Sequence, residues 1–322
     1  MSTKILITGG AGLIGGNFIR YILNKYDDYY IVNFDDLVYI KSIDGLKDIE
    51  RDHRYKFIKG NICKRSFVNE VFKKEKFDFI VNFAAVSHVG YSILDPENSL
   101  KTNILGTQVL LEASKINNVT KFLQISTDEV YGSSKERQFK ETDILLPNNP
   151  YSSSKAGAEL LARAYHKTFG LPILITRSSN NFGPYQFPEK LISFFITNLL
   201  DNKKVPLHGN GLNIRDWIYV LDNCAGINTV LHHGKIGEIY NIGGGNEKTN
   251  IEITKIILRE LGKDKSFIEY VEDRPGNDLR YSLDSTKIKE LGWEPKHNFE
   301  DAILETIEWY KKNRWWWEKI KY

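Results

Sequence analysis

The amino-acid sequence predicts an α/β protein: a doubly wound parallel sheet with a smaller C-terminal α/β domain. Three features carry that expectation. Apolar runs of strand length alternate with helix-length segments through the first half of the chain, a glycine-rich turn follows the first run directly, and after about residue 177 the alternation loosens into stretches rich in Asn, Gly and Pro. Strands that are apolar at nearly every position, not every second one, suit a sheet covered on both faces.

Strands are expected at Ile5–Ile7, Tyr30–Val32, Tyr55–Ile58, Asp78–Ala85, Lys121–Ser126 and Pro172–Thr176. Proline is tolerated at the first helical position because its missing N–H would have no intrahelical partner there, so Asp95-Pro96, Asn149-Pro150 and Phe187-Pro188 predict helix starts. Thr249-Asn250-Ile251-Glu252 has the spacing of a capping box. The second half is expected to hold shorter strands such as Glu238–Ile242, and helices near 251–261 and 299–312.

Composition narrows the class. With 322 residues the chain can bury a large core in one long domain or two smaller ones. Lys plus Arg (44) nearly balance Asp plus Glu (41), and same-sign clusters are short, which argues against a nucleic-acid or polyanion surface. Two distant cysteines, Cys63 and Cys224, make neither a disulfide framework nor a zinc site, and His88 and His166 show no ligand spacing, so no metal is expected. No secretion signal and no 18-residue apolar stretch is seen, so a cytoplasmic protein without membrane contact is expected. The aromatic run in "NRWWWEKIKY" is too short to span a bilayer and reads as a docked tail or a subunit contact.

The first chemical motif is Thr8-Gly9-Gly10-Ala11-Gly12-Leu13-Ile14-Gly15, between the first strand and a helix reaching about Lys25. A glycine turn lets backbone N–H groups and the positive helix end approach a pyrophosphate, while the last glycine lets helix and strand pack closely. The second strand ends in Asp35, whose carboxylate can accept from both ribose hydroxyls and would repel a 2′-phosphate, which favours NAD over NADP; Asp36 beside it is a second candidate. Strand, turn, helix and acid together specify a Rossmann-type sheet.

The second motif is Tyr151-Ser152-Ser153-Ser154-Lys155. Residues four apart share a helical face, so the Lys155 ammonium is expected to stabilise a Tyr151 phenolate and lower the tyrosine pKa, making it a base near neutrality. Taken alone, Y-x-x-x-K is more often a surface pair; behind a nucleotide-binding fold the functional reading gains weight. The third is "STDEVYG" (126–132), which places Asp128 and Glu129 at the end of an apolar strand, where open α/β sheets face their ligand crevice.

Together with "NFAA" (82–85) and "PYSSSK" (150–155), these motifs resemble the extended short-chain dehydrogenase/reductase family. "TRSSNNFGPYQFPEKLI" (176–192), "LNIRDWIYV" (212–220), "YNIGGGNEKTN" (240–250) and "DRPGNDLRY" (273–281) narrow the resemblance to the nucleoside-diphosphate-glucose 4,6-dehydratases within it, from the N-terminus to about residue 310. That resemblance implies NAD-dependent dehydration of a nucleoside-diphosphate hexose, above all dTDP-glucose: oxidation at carbon 4, elimination of water across carbons 5 and 6, and hydride return to carbon 6. It implies a catalytic set of Tyr151 and Lys155, Glu129 as base at carbon 5, Asp128 as the protonated acid releasing water, and Thr127 bonded to the sugar near oxygen 4.

For NAD the resemblance implies contacts from Gly9, Gly10, Gly12, Leu13, Ile14, Gly15, Asp35, Asp36, Leu37, Asn61, Ile62, Phe83, Ala84, Ala85, Thr102 and Asn181, with Tyr151 and Lys155. For the nucleotide sugar it implies Ser87, Thr127, Asn180, Lys190, Leu191, Pro206, Leu207, His208, Arg215, Asn250, Arg274 and Asn277. It further implies an NAD-binding domain over 1–176, with returning segments from about 213–245, a nucleotide-sugar domain over 177–322, and a homodimer through helices near 98–117 and 151–168. The chain departs from the family pattern at Val86 and Gly90, where acids are usual, and at Tyr91, where an arginine is usual. Asn61 stands for an aspartate, His208 for a tyrosine that stacks on the base, and Asn277 for a histidine, so the base and the hexose stay open. A UDP- or CDP-glucose dehydratase, a 4-epimerase and a non-catalytic nucleotide-binding regulator are the alternatives; the epimerase would not need both acids, and the regulator should have lost part of the catalytic set.

Overall fold

The structure, a computed structural model, describes residues 2–38, 42–134, 136–273 and 278–321. Its first half alternates β1 (Thr3–Thr8), α1 (Leu13–Lys25), β2 (Tyr29–Asp35), β3 (Tyr55–Lys59), α2 (Arg65–Glu75) and β4 (Phe79–Asn82). Then come α3 (Val89–Leu94), α4 (Pro96–Leu100), α5 (Thr107–Ile116), β5 (Lys121–Thr127), α6 (Pro150–Phe169) and β6 (Ile173–Ser178). The second half holds β7 (Asn180–Phe182), α7 (Leu191–Leu200), β8 (Val205–His208), β9 (Ile214–Tyr219), α8 (Val220–His233), β10 (Ile239–Ile242) and β11 (Glu247–Thr249). It closes with α9 (Asn250–Glu260), β12 (Ile268–Val271), α10 (Thr286–Lys289), α11 (Phe299–Lys312) and α12 (Arg314–Trp317).

Seven parallel strands form the main sheet in the order β10-β6-β5-β4-β1-β2-β3. Both faces are covered, which is why its strands are apolar throughout. Phe18, Ile19 and Ile22 of α1 pack with Ile227 and Leu231 of α8 on one side, and Val68 and Phe72 of α2 pack with Val109, Leu110 and Ala162 of α5 and α6 on the other. A third core gathers α7, α9, α11 and α12 around Phe182, Trp217 and Tyr219 of the small β11-β9-β7 sheet. Among the described residues no helix is long and apolar enough to cross a membrane.

Two expected boundaries move. The strand expected over Asp78–Ala85 stops at Asn82, which pairs with Thr8, the last residue of β1: the Phe83 N–H closes the ladder on the Thr8 carbonyl (3.1 Å), and the Ala84 N–H takes Thr8 Oγ1 (3.3 Å) in place of a further strand partner. The helix expected at Phe187-Pro188 starts only at Leu191, since the Phe187 carbonyl is taken by the Glu189 N–H (2.8 Å) and Ser193 Oγ (2.7 Å), closing a tight turn first. The other helix starts stand: Asp95 and Asn149 cap α4 and α6 with proline at their starts, and Thr249 and Glu252 form the expected capping box.

Leu123 lies in β5, an interior strand of the sheet beside the central β4, and is fully buried. Leu123→Ala is expected to destabilise the chain by about 2–5 kcal/mol, through lost apolar transfer and the cavity left behind; urea denaturation followed by circular dichroism measures it.

Candidate active site

The topology places one large crevice. Strand order reverses between β1 and β4, and ligands of open α/β sheets bind outside the strand ends at such a switch point. A cavity of about 730 Å³ lies there, lined by Gly9 after β1, Asp35 at the end of β2, Gly60 after β3, Phe83 after β4, Thr127 at the end of β5 and Ser178 at the end of β6. It continues to Pro206, Leu207, His208, Arg215 and Asn250 of the second half.

At one end sits the glycine turn. Gly9 has φ +72°, and a Cβ there would lie 2.6 Å from the Ala84 nitrogen, so only glycine fits. Gly12 caps α1 without a side-chain acceptor, and Gly12, Leu13 and Ile14 line the cavity, leaving the first N–H groups of the helix for an anionic ligand. Asp35 accepts from the Ala11 N–H (3.0 Å) and the Leu37 N–H (2.9 Å), and burial raises its pKa. Asp36 instead accepts from the Asn61 amide (2.9 Å), so Asp35 is the acid tied to the turn. These residues fit a dinucleotide: an uncapped helix end for the pyrophosphate and a fixed carboxylate for the ribose.

At the other end Asp128 and Glu129 open a short 3-10 turn after β5. Thr127 Oγ1 donates to Asp128 Oδ1 (3.1 Å) and accepts from the Glu129 N–H (3.3 Å). Asp128 is only 2% exposed and its Oδ2 has no protein partner. Burial, with the negative charges of Glu129 and Asp216, pushes its pKa well above the usual carboxylate range. Burial raises Glu129 too, but the positive charges of Lys190 and Arg215 pull it back. Two neighbouring acids are thus driven apart electrostatically.

Tyr151 and Lys155 enter from α6. The Tyr151 N–H is held by Ser92 Oγ (3.1 Å), and Lys155 Nζ donates to the Ile125 carbonyl (2.5 Å). Here the structure reverses a sequence expectation: Tyr151 is not lowered but raised, first by burial and then by the carboxylates of Glu129 and Asp128, while its bond with Thr127 opposes the rise. The ammonium expected to offset them is directed at a backbone carbonyl, and burial lowers Lys155 to about 8.

Of the residues named from sequence, Gly10 and Leu37 do not line the cavity. Gly10 packs against Asn33, whose Oδ1 would lie 2.2 Å from an added Cβ, and Val38 takes the lining place expected of Leu37. Arg274 and Asn277 lie outside the described residues. The others line the cavity: Gly9, Gly12, Leu13, Ile14, Gly15, Asp35, Asp36, Asn61, Ile62, Phe83, Ala84, Ala85, Thr102 and Asn181 with Tyr151 and Lys155, and Ser87, Thr127, Asp128, Glu129, Asn180, Lys190, Leu191, Pro206, Leu207, His208, Arg215 and Asn250. Asn61 Oδ1 accepts from the Cys63 N–H (2.8 Å). Arg215 donates to the carbonyls of Ile214 (2.8 Å) and Asp278 (2.9 Å), and Lys190 to that of Ser87 (2.9 Å). Val86 and Gly90 line the cavity, whereas Tyr91 stands outside it against the His88 ring, 4.5 Å between centroids.

Sequence reasoning missed Asn149, Gln186, Glu189, Asp278 and Tyr281, which also line the cavity. Asn149 was legible only as a helix cap. Tyr281 and Asp278 sat inside a quoted motif, yet nothing in it signals that the Tyr281 hydroxyl bonds Asp278.

A dinucleotide cradle facing two electrostatically separated acids and a tyrosine defines a nucleotide-binding enzyme of the oxidoreductase fold that carries out acid–base chemistry. Within that class the chain belongs to the GDP-mannose 4,6-dehydratase family, whose pattern matches residues 6–306. It is 49% identical to the low-salt glycan biosynthesis protein Agl12 of Haloferax volcanii, over 95% of this chain and 98% of that protein. A dTDP-glucose 4,6-dehydratase of Bacillus anthracis, solved in complex with NAD, is 48% identical with a TM-score of 0.93, covering 99% of this chain and 100% of that one. The dTDP-glucose 4,6-dehydratase DesIV of Streptomyces venezuelae, solved with NAD and thymidine diphosphate bound, is 45% identical with a TM-score of 0.96 and the same coverage.

Lys155 gives a pH signature. Its folded pKa, about 8, lies below its ordinary 10.5. Between those values the unfolded chain holds the proton that the folded chain has released, so this group makes stability rise with pH from about 8 to 10.5, and the gain is lost as pH falls through 8. Replacing it with methionine removes that contribution: the stability of Lys155→Met relative to the unaltered chain is expected to decline across this window, as measured by urea unfolding at stepped pH.

Proposed function

We propose that this chain is an NAD-dependent dehydratase that converts dTDP-glucose to dTDP-4-keto-6-deoxyglucose. The observation that carries the reading is the acid pair in the cavity with Tyr151: burial and the charges of Glu129 and Asp216 push Asp128 well toward its protonated form, while the rise that burial gives Glu129 is opposed by Lys190 and Arg215. An epimerase needs no such pair, and a silent binding protein has no use for the complete set.

Gly9, Gly12, Leu13, Ile14 and Asp35 would hold the dinucleotide. When bound, NAD supplies a reversible two-electron acceptor for the hydride of carbon 4 and brings a positive charge into the cavity. Tyr151 receives the proton of the 4-hydroxyl as a phenolate, a form that its bond with Thr127 favours and that the positive charge of bound NAD would favour further against the burial and the carboxylates that raise it. Oxidation makes the proton on carbon 5 acidic, because the carbanion left behind is conjugated with the new carbonyl. Glu129 removes that proton. Asp128, the better proton holder of the two, protonates the departing 6-hydroxyl as water; carbon 6 then takes the hydride back and Glu129 returns its proton to carbon 5, so that the 6-deoxy sugar forms with no net change in the cofactor. Both acids are needed because neither can lose and supply a proton in the same step.

The cavity couples the two halves of the chain, and we assign residues 1–176 with the returning 213–245 segment to NAD and 177–322 to the nucleotide sugar. Arg215, which can fork onto phosphate oxygens, and Lys190 are the described cations for the diphosphate. Two unpaired thiols, Cys63 and Cys224, support a reducing, cytoplasmic setting. A homodimer through the 98–117 stretch and α6 is supported by exposed Leu100 (48%), Leu105 (45%) and Leu160 (54%).

Purified protein incubated with dTDP-, UDP-, CDP- and GDP-glucose is expected to convert the dTDP sugar fastest, to a product lighter by one water, without net NADH. A product of unchanged mass would show epimerisation instead. Glu129→Gln is expected to lower turnover by about 10²–10⁴-fold while reduction of bound cofactor persists in stopped flow. A Leu105→Glu, Leu160→Glu double variant is expected to sediment as a monomer where the unaltered chain sediments as a dimer.

A further inference from the structure

The aromatic run near the C-terminus plays no part in the chemistry above, yet it is firmly seated. Trp316 and Trp317 of α12 are 3% and 0% exposed. The Trp316 ring meets Trp309 of α11 at 5.3 Å, and both pack on Tyr185, at 5.5 and 4.6 Å between centroids. The Trp317 indole N–H donates to the Tyr310 carbonyl (2.8 Å), and the Tyr310 hydroxyl donates to the Gln186 carbonyl. Asp201, at the end of α7, is ion-paired with Arg314 and Lys321, fastening the tail from the other side.

What the cluster grips is the loop between β7 and α7. Tyr185 has φ +65°, a left-handed conformation that costs a bulky side chain of the order of 1–3 kcal/mol and persists only where surroundings enforce it. They do so here: the aromatics hold the Tyr185 ring on one side, the Arg20 guanidinium stacks 3.9 Å from its centroid, and the Asn17 amide donates to the Pro184 carbonyl (3.0 Å). Immediately after this fixed point the same loop delivers Gln186, Phe187, Glu189 and Lys190 to the cavity. Gln186 also ties the loop to β7, donating to the Asn181 carbonyl (2.8 Å).

We propose that the C-terminal aromatic cluster is a positioning device for substrate: by holding Tyr185 and the Gln186 carbonyl, it sets the loop that receives the nucleoside diphosphate. The proposal rests on the assignment of that loop to the nucleotide sugar. It makes Tyr310 and Trp316 positioning residues although neither lines the cavity, and it sets them apart from the glycine turn and Asp35, the residues that would hold the pyrophosphate and ribose of NAD.

The test uses the full chain with three substitutions. Tyr310→Phe deletes one hydroxyl and leaves the core filled, Trp316→Ala removes the contact with Tyr185, and Trp316→Phe restores an aromatic ring. Calorimetric titration with dTDP is expected to show affinity lowered about fivefold by Tyr310→Phe and about tenfold or more by Trp316→Ala, with Trp316→Phe recovering most of the loss. NAD affinity should change by less than about twofold in all three, and with dTDP-glucose the KM of Tyr310→Phe should rise at constant kcat. Equal weakening toward dTDP and NAD would mean a purely structural role and overturn the proposal, as would unchanged dTDP binding in Tyr310→Phe and Trp316→Ala. An unaltered chain that binds dTDP but releases no water from dTDP-glucose would sink the dehydratase chemistry and leave the positioning role standing; one that cannot bind dTDP would sink both.

Discussion

The arrangement of the active site depends on one buried cation. Arg177, on β6 and 2% exposed, forks onto both carboxylate oxygens of Glu159 in α6 and donates to the Tyr131 hydroxyl (2.6 Å), which in turn donates to Asn241 Oδ1 (2.8 Å) at the sheet edge. Tyr131 closes the 3-10 turn that begins with Asp128 and Glu129, and Glu159 lies eight residues beyond Tyr151 on the same helix. Turn, helix and edge strand are therefore fastened to one guanidinium. Stacking of Tyr131 on Phe139, with centroids 4.8 Å apart and the rings nearly parallel, completes the joint. Ion pairs of this kind add little net stability over an apolar replacement, but losing one partner strands a buried charge at a cost of about 3–5 kcal/mol. Their value here is geometric, because acids and a tyrosine from different elements must address one sugar.

Electrostatics then divides labour among groups that are chemically alike. Asp128 and Glu129 are adjacent carboxyls in the same wall. Arg215 acts on both, but the larger charges on Asp128 are those of Glu129 and Asp216, whereas on Glu129 Lys190 and Arg215 come ahead of Asp278. In poorly solvated surroundings such differences are not screened away, so a proton settles on the first in preference to the second. Asp216 is itself raised to about 6 by burial, despite backbone N–H bonds from Gly244 (3.0 Å) and Asn246 (2.8 Å). The wall behind Asp128 is therefore acidic as well as dry, which suits a general acid.

The departures from the family pattern separate on inspection of the cavity. Val86 and Gly90 lie on its lining and leave that stretch without the usual acids, while Tyr91 does not line it. His208 stays on the lining with Nδ1 3.0 Å from the Glu272 carbonyl. A carbonyl only accepts, so Nδ1 is the donor in this contact. That differs chemically from a stacking phenol, so the wall of the cavity at this position differs from the family pattern.

Much of this protein was written locally. The parallel sheet was legible because near-continuous apolar strands have few other environments open to them, the cofactor cradle because Gly9 needs a positive φ and close backbone approach, and the helix caps because Asn149 and Thr249 satisfy N–H groups within a few residues. Those are short-range constraints, and sequence states them directly. Tertiary structure alone decided the charge balance of the acids, the turning of Lys155 toward Ile125, and the recruitment of Asp278 and Tyr281 to the cavity. It also decided the late start of α7, which depends on how Phe187 and Ser193 close a turn. Long-range electrostatics and desolvation depend on which distant side chains meet, and no spacing along the chain records that.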